Sequence, residues 1–411
     1  MTKLEQLIEQ LCPDGVEYKT IEECTIKTKK IKWSDNQNAD FQYIDLTSVD
    51  RDKHIIIETQ TINSDKAPSR AQQIVKHNDI IFGTTRPTLL RYCYVPKQFD
   101  NQICSTGFCI IRSNNRIVLN EWLYHNVSSS KFYAYVECKQ KGASYPAISD
   151  KEVKQYKIPV PPIEVQAEIV RILDKFTELT TELTTELTNR KKQFEYYRDK
   201  LLSYEHSVSL EELGKVAKVT KLAGFEFTNY VQYSDAGKVI ALRGLNVKDG
   251  KLILNDVKYI DNSDLSKLDR SKLIVGDMLF TYVGTVGQVA LIDENDKYYL
   301  APNVAMIRIE DERLLPKYLM YYFQSSIFKE KQINRLLQSS SMKNIPMEKI
   351  RKFLVPIPSI QTQQRIIAVL DNFEAICSDL TIGLPAEIEA RQKQYEYYRD
   401  KLLTFKEKNS V

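Results

Sequence analysis

The chain repeats itself. The stretch Pro161-Pro-Ile-Glu-Val-Gln-Ala-Glu-Ile-Val-Arg-Ile-Leu-Asp-Lys-Phe176 returns as Pro358-Ser-Ile-Gln-Thr-Gln-Gln-Arg-Ile-Ile-Ala-Val-Leu-Asp-Asn-Phe373, an offset of 197 residues. Tyr196-Tyr-Arg-Asp-Lys-Leu-Leu202 returns unchanged at Tyr397 to Leu403, an offset of 201. Fainter echoes lie upstream: Asn78-Asp-Ile-Ile-Phe82 against Gly276-Asp-Met-Leu-Phe280, Phe108-Cys-Ile-Ile-Arg112 against Val304-Ala-Met-Ile-Arg308, and Glu121-Trp-Leu-Tyr124 against Lys317-Tyr-Leu-Met320. A long-period repeat means that one architecture is built twice. Each half is a variable block of about 150 residues followed by a better-matched helical block.

The helical blocks have the pattern of coiled-coil arms. In the first, Ile169, Ile172, Phe176, Leu179 and Leu183 follow a 3-4-3-4 spacing that lays one apolar seam along a helix. A tetrapeptide then runs three times, Thr177-Glu-Leu-Thr, Thr181-Glu-Leu-Thr and Thr185-Glu-Leu-Thr188. Four residues overshoot a 3.6-residue turn, so the seam shifts by a stutter and resumes at Phe194, Tyr197 and Leu201. The second arm repeats the spacing at Ile366, Val369, Phe373, Ile376 and Leu380, and resumes through Ile388, Tyr395, Tyr398 and Leu402. Between them Gly383-Leu-Pro385 predicts a kink or split, because proline removes a backbone bond and crowds the preceding turn. Termini of compact domains commonly lie close together, so the second arm is expected to start near the end of the first and run back along it. A first arm of 163–205 would make a rod of roughly 65 Å.

The variable blocks read as mixed α/β. Short β-branched or alternating runs at 73–82, 102–112, 238–242, 272–282 and 304–309 suggest strands, and 121–136 and 316–337 suggest helices. The expected fold is therefore mixed α/β (α+β): two similar globular blocks, 1–160 and 206–357, joined by two long antiparallel coiled-coil arms, 161–205 and 358–411, as a pseudo-twofold internal repeat.

Composition excludes several classes. With 43% hydrophobic and 27% charged residues over 411, the chain has the profile of an ordinary globular protein, not a disordered or collagenous one. Its longest apolar runs are too short to cross a bilayer, and no secretory signal opens it, so a cytoplasmic location without membrane partners is expected. Seven cysteines at irregular spacing suit reduced, mostly buried thiols, and four scattered histidines imply no metal. Phosphate-binding, dinucleotide-binding and nucleophile-elbow motifs are absent, and Gly284-Thr-Val-Gly287 reads as a turn. Asp277 and Asn303 read as isolated polar residues beside apolar runs. No catalytic group is assigned, and no cofactor or metal.

Candidate DNA contacts can still be named. Lys27, Lys29, Lys30 and Lys32 precede Trp33, and alternating cations beside an aromatic can hold phosphates and cover a sugar or base edge. Arg86 and Arg91 flank a polar loop at 84–90 and have the chemistry to reach guanine O6 and N7. The matching loop, 281–288, is neutral and offers Thr285 and Gln288. Likewise Lys139, Lys141 and Ser144 in block one correspond to a stretch with Arg335, Gln338, Ser340 and Lys343 in block two. Different side chains on one scaffold would read different bases. A solvated loop is the competing reading for each.

Variable block, Pro-Pro-Ile-Glu-x-Gln segment and arm ending in Tyr-Tyr-Arg-Asp-Lys-Leu-Leu, all of it doubled, resembles the specificity subunit of type I restriction-modification enzymes over essentially the whole chain. The resemblance implies two target recognition domains, each reading one half of a split, asymmetric site in double-stranded DNA. It implies arms that act as a ruler and dock two modification (methyltransferase) subunits, with restriction subunits joining a larger complex. S-adenosylmethionine, ATP and Mg would then belong to those partners, and this chain would be non-catalytic. The rival reading is an adaptor that scaffolds two protein partners and binds no DNA.

Overall fold

The computed structural model describes residues 2–203, 208–337, 344–378 and 383–408. The chain divides into two compact units, Met1–Thr184 with Glu387–Val411, and Thr185–Ala386. Each unit thus combines one variable block with pieces of both arms. The first arm is one helix, Ile163–Leu201, of 39 residues, about 58 Å at 1.5 Å per residue. The second arm is described as two helices, Ile360–Ser378 and Leu384–Leu402. Pro385 falls in the first turn of the latter, where its missing N–H has no helical partner to lose. Among the described residues no helix is long and apolar enough to cross a membrane.

In the first unit, Phe108–Ile111, Ile80–Gly83 and Tyr92–Tyr94 form an antiparallel sheet in that order. A mixed sheet runs Gln60–Ile62, Phe41–Ile44, Ile103–Ser105, Ala71–Ile74. The runs 73–82 and 102–112, expected as single strands, are each split between these two sheets. Asp79 turns the chain in the first, accepting the Lys76 N–H, and Gly107 interrupts the second. Glu17–Thr20 pairs with Lys157–Val160, bringing the two ends of the block together where the arm begins. Ile80, Phe82, Trp122, Phe132 and Ile158 share one core with Val165, Ile169 and Leu173 of the arm.

The second unit repeats this plan. Ala217–Lys221, Val304–Ile309, Met278–Thr281 and Val289–Leu291 form an antiparallel sheet. Lys258–Tyr259, Ile240–Leu242 and Tyr298–Leu300 form a second sheet, and Leu210–Glu212 pairs with Leu354–Pro356 at the root. Each helical stretch expected after the strands is broken at a serine. Ser129 accepts from the Phe132 N–H and starts Ser130–Lys139 after Asn120–Val127, and Ser325 does the same for Phe328 after Pro316–Gln324. A side-chain oxygen that satisfies a free helix N–H favours a new helix over a continued one.

Packing accounts for most of the repeated motif. Asp277, read from sequence as isolated, is 1% exposed and takes a two-pronged bond from Arg308 at 2.7 and 2.7 Å. Its counterpart Asp79, also 1% exposed, takes the same bond from Arg112 at 2.6 and 2.6 Å. Gln166 is fully buried at the foot of its arm; its Oε1 accepts from the Leu119 N–H at 2.9 Å and its Nε2 donates to Ile117 and Pro161 carbonyls. Gln363 does likewise with Leu315, Arg313 and Pro358. These glutamines therefore fasten block to arm from inside, where no partner reaches them.

The arms are exchanged between copies. In the first unit Phe176 stacks on Tyr398, with ring centroids 5.5 Å apart, and in the second Phe373 stacks on Tyr197 at the same 5.5 Å. Asp400 accepts the Ser130 N–H at 3.2 Å, and Asp199 accepts the Ser326 N–H at 3.0 Å. Each Asp thus caps a helix of the block belonging to the other copy, at an end whose partial positive charge favours a carboxylate. In the second unit Tyr197 lies beside Phe373 while Cys377, whose thiol burial pushes up, lies near Lys191 and Arg190. Those pairings place the two arm segments antiparallel within that unit.

Candidate nucleic-acid interface

Two candidate segments of block one meet. Thr85 bridges Ala147, the Arg86 N–H donates to the Pro146 carbonyl at 2.7 Å, and the Ile148 N–H donates to the Thr84 carbonyl at 2.9 Å. Lys141 and Ala147 exchange both backbone bonds, closing a tight turn that carries Ser144 with Gly142 at φ +103°. Lys139, Lys141 and Ser144 are exposed, as is Arg86. Arg86 itself sits at φ 49°, a left-handed conformation rare outside glycine, and its guanidinium lies over the Tyr145 ring at 4.6 Å. Tyr145 is 72% exposed and was not singled out from sequence. An aromatic in a run of Gly, Ser and Pro was the available signal. Arg91 is half-buried at the base of the same hairpin, its carbonyl accepting from the Gly83 N–H.

The lysine run lies along another edge. Lys29 and Ile31 pair with Ile74 and Gln72, and Lys27, Lys29, Lys30 and Lys32 are all exposed. Lys30 and Lys154 offset part of the upward push that burial gives the Asp150 carboxyl. Trp33 does not stand beside them as a free plate: its Nε1 donates to the Ala71 carbonyl at 3.0 Å and its ring meets Phe41 edge-on. It is a packing residue that holds the run in place.

Block two repeats the framework with other side chains. Val283 bridges Asn344 where Thr85 bridges Ala147, and Gly284 stands at φ +78° where Arg86 stands at φ 49°. The Gly284 to Gly287 stretch is a turn, with the Gly287 N–H donating to the Thr281 carbonyl. Thr285 is exposed at its tip; its carbonyl accepts from the buried Thr281 hydroxyl. Gln288 is half-buried and its Oε1 accepts from the Asp249 N–H at 3.0 Å, so part of its hydrogen-bonding capacity props the neighbouring turn. Arg335 is exposed on Arg335–Leu337 and lines a separate cleft of about 410 Å³ with Leu202, Tyr322 and Leu354. Gln338, Ser340 and Lys343 lie outside the described residues.

Beside Thr285 the structure opens a cleft of about 450 Å³ lined by Tyr233, Arg243, Leu245, Val283, Pro302 and Asn303. Burial raises the Tyr233 phenol, and the positive charge of Arg243 opposes the rise. Arg243 donates to the Asp256 carbonyl and carboxylate at 2.9 and 2.7 Å, while its Nε is buried without a partner. Asn303, read from sequence as isolated, supplies this wall from a left-handed turn at φ 72°.

Block one fills the corresponding place with a side chain. The registers match Ile44 with Cys104 and Leu242 with Leu300, so Asp45 and Leu46 correspond to Arg243 and Gly244. Leu46 lies against Gly83 and Gly107, filling the space that Gly244 leaves open above Thr281. Asp45 turns inward; burial pushes its carboxyl up, but the hydroxyl and N–H bonds it accepts from Thr47 and Ser48 together outweigh that and lower it. Nothing in the sequence between 238 and 246 marked Arg243, because its place beside 281–288 depends on a parallel strand pairing across almost sixty residues. Among the described residues no group of His, Cys, Asp or Glu is arranged to hold a metal ion. Six cysteines are buried and Cys138 is exposed, all as free thiols.

Comparison with known proteins agrees with this doubled plan. The family model described as type I restriction modification DNA specificity domain matches twice, over residues 13–192 and 205–390. A putative type I restriction enzyme specificity subunit of Haemophilus influenzae is 30% identical over 296 residues, covering 70% of this chain and 72% of that protein. The EcoR124I/EcoR124II specificity subunit of Escherichia coli is 34% identical over 274 residues, 62% of this chain and 65% of that one. Among solved structures, a chain from work on complex assembly and conformational transition of the type I R-M system superposes with TM-score 0.68, at 23% identity, over 96% of this chain and 98% of that chain. With both halves matched by one family model and the fold shared over nearly the full length, the chain belongs to the type I restriction-modification DNA specificity family.

Proposed function

We propose that the chain is the non-catalytic DNA-reading subunit of a type I restriction-modification complex, with residues 1–160 and 206–357 each recognising one half of a split, asymmetric site. The observation that carries this reading is the contrast within the repeat. The framework is duplicated to individual hydrogen bonds, while the loops it presents differ in charge and shape. Arg86, Tyr145, Lys139 and Lys141 give block one a cationic, aromatic surface, and block two offers Thr285, Asn303 and Arg243. Guanidinium and amide groups discriminate base edges in the major groove, while lysines anchor phosphates.

In the same reading the arms dock two methyltransferase subunits, and restriction subunits join them. S-adenosylmethionine, ATP and Mg act in those partners. Tyr196 and Tyr397, the most exposed tyrosines of the identical heptads at 60% and 62%, stand at matching positions and suit two copies of one partner. The first arm then sets the distance between half-sites. Removing one four-residue unit shortens a helix by about 6 Å, or between one and two base pairs.

Methylation-site mapping of the chain with its methyltransferase partner tests the reading. Deleting residues 181–184 is expected to change the gap while leaving both half-site sequences intact. Altered half-sites with an unchanged gap would refute the ruler. A complex that shifts no duplex DNA would favour the adaptor reading instead.

A further inference from the structure

We propose that Arg243 is the specificity-determining cation of block two, reading a guanine edge from the cleft beside Thr285. The inference rests on the two-block DNA reading and extends it to a residue that the repeat itself does not mark.

Three observations converge. The loop equivalent to the Arg86 loop is neutral in block two, yet the cleft next to it is lined by one charged side chain among the described residues, Arg243. That side chain is incompletely satisfied, since its Nε is buried without an acceptor and, among the described residues, its hydrogen bonds run from Nη2 to Asp256. Asp256 is 70% exposed, and an ion pair to so solvated a carboxylate has little net worth. Finally, the position is not framework: block one has Asp45 there, turned inward to its own backbone, with Leu46 closing the space.

The geometry gives Arg243 a placeholder. Two oxygens of Asp256, one carbonyl and one carboxylate, accept from the guanidinium now. Guanine O6 and N7 are likewise two adjacent acceptors and are the favoured target of a planar guanidinium fork. Exchange of one acceptor pair for the other keeps the guanidinium hydrogen-bonded, while the exposed Asp256 carboxylate returns to water. Tyr233 and Leu245 wall the cleft with a ring and an exposed apolar side chain, and Thr285 and Asn303 supply polar groups at its rim.

The test uses the full chain assembled with its methyltransferase partner, with methylation sites mapped for wild type, Arg243→Gln, Arg243→Lys, Asp256→Ala and Arg86→Gln. Arg243→Gln should relax one position of one half-site, lowering its preference for guanine about 10-fold or more, with the other half-site unchanged. The unchanged half reports that the molecule is folded. Should Arg243→Gln yield no complex, Arg243→Lys decides, since it keeps the charge and loses the fork. Asp256→Ala should retain the wild-type sequence preference, and Arg86→Gln should affect only the opposite half-site. An unchanged half-site, a uniform weakening at all sequences, or an Asp256→Ala effect equal to that of Arg243→Gln would overturn the proposal. A wild-type complex that methylates no two-part site would remove the parent reading, and this one with it.

Discussion

Gln166 and Gln363 do one job at two places, whereas Asp45 and Arg243 hold one place and do two different jobs. The first pair sits where a block meets its arm. There the carbonyls and N–H groups of the entering chain are buried, so each needs a partner, and one amide side chain supplies three bonds at once. Any change leaves buried groups unpaired, which holds both copies to the same solution. The second pair borders solvent, where water satisfies whatever a side chain exposes. That freedom allows one block to fill its cleft with Leu46 and the other to open it with Gly244.

The comparison can be broken most severely by exchanging a block. Replacing residues 1–158 with the equivalent block of another family member should convert one half-site completely and leave the other untouched. Methylation mapping in which both halves changed, or neither did, would show that the blocks do not read independently.

A smaller effect separates the twin ion pairs. Asp79→Ala leaves the largely buried Arg112 guanidinium without its carboxylate and should destabilise the first unit by about 3–5 kcal/mol. Asp277→Ala should fall toward the lower end of that range, because Arg308 is 31% exposed and rehydrates more readily than Arg112 at 16%. Denaturant titrations giving Asp277→Ala the larger loss would mean that exposure of the arginine does not set the cost of losing its partner.

The smallest effect is confined to one unit. Glu168 accepts from Arg171 at 2.7 Å and from Lys3 at 2.9 Å, and these bonds draw its carboxyl down to about 2. A depressed folded value stabilises above the ordinary carboxylate range and is lost as pH falls from about 4.5 toward 2. Arg365 stands at the matching position of the second copy and is exposed. Glu168→Gln should therefore lower the unfolding midpoint at pH 6 and lose most of that difference near pH 2. A constant gap across the range would assign the effect to packing instead.

Much of the plan was legible along the chain. The seam through Ile169, Ile172 and Phe176 announced a helix, and the second copy announced that it would recur. The mixed α/β character of the blocks was readable from alternating runs. Less legible were the breaks. Ser129 and Ser325 look like ordinary helix-surface residues until their hydroxyls are seen to start new helices. Trp33 looked available for stacking because its acceptor, the Ala71 carbonyl, lies 38 residues away.

By itself, then, the sequence determined the duplication, the helical arms and the identity of the repeated heptad, because those rest on local periodicity and on comparison of the chain with itself. Tertiary structure alone decided that the second heptad serves the first block and the first heptad the second, with Asp400 capping Ser130 and Asp199 capping Ser326. It also decided that a cation from 243 stands beside a neutral turn at 284. Contacts between segments far apart in sequence leave no periodic trace, since they are fixed by how sheets and helices close around a core and not by the order of residues along any one element.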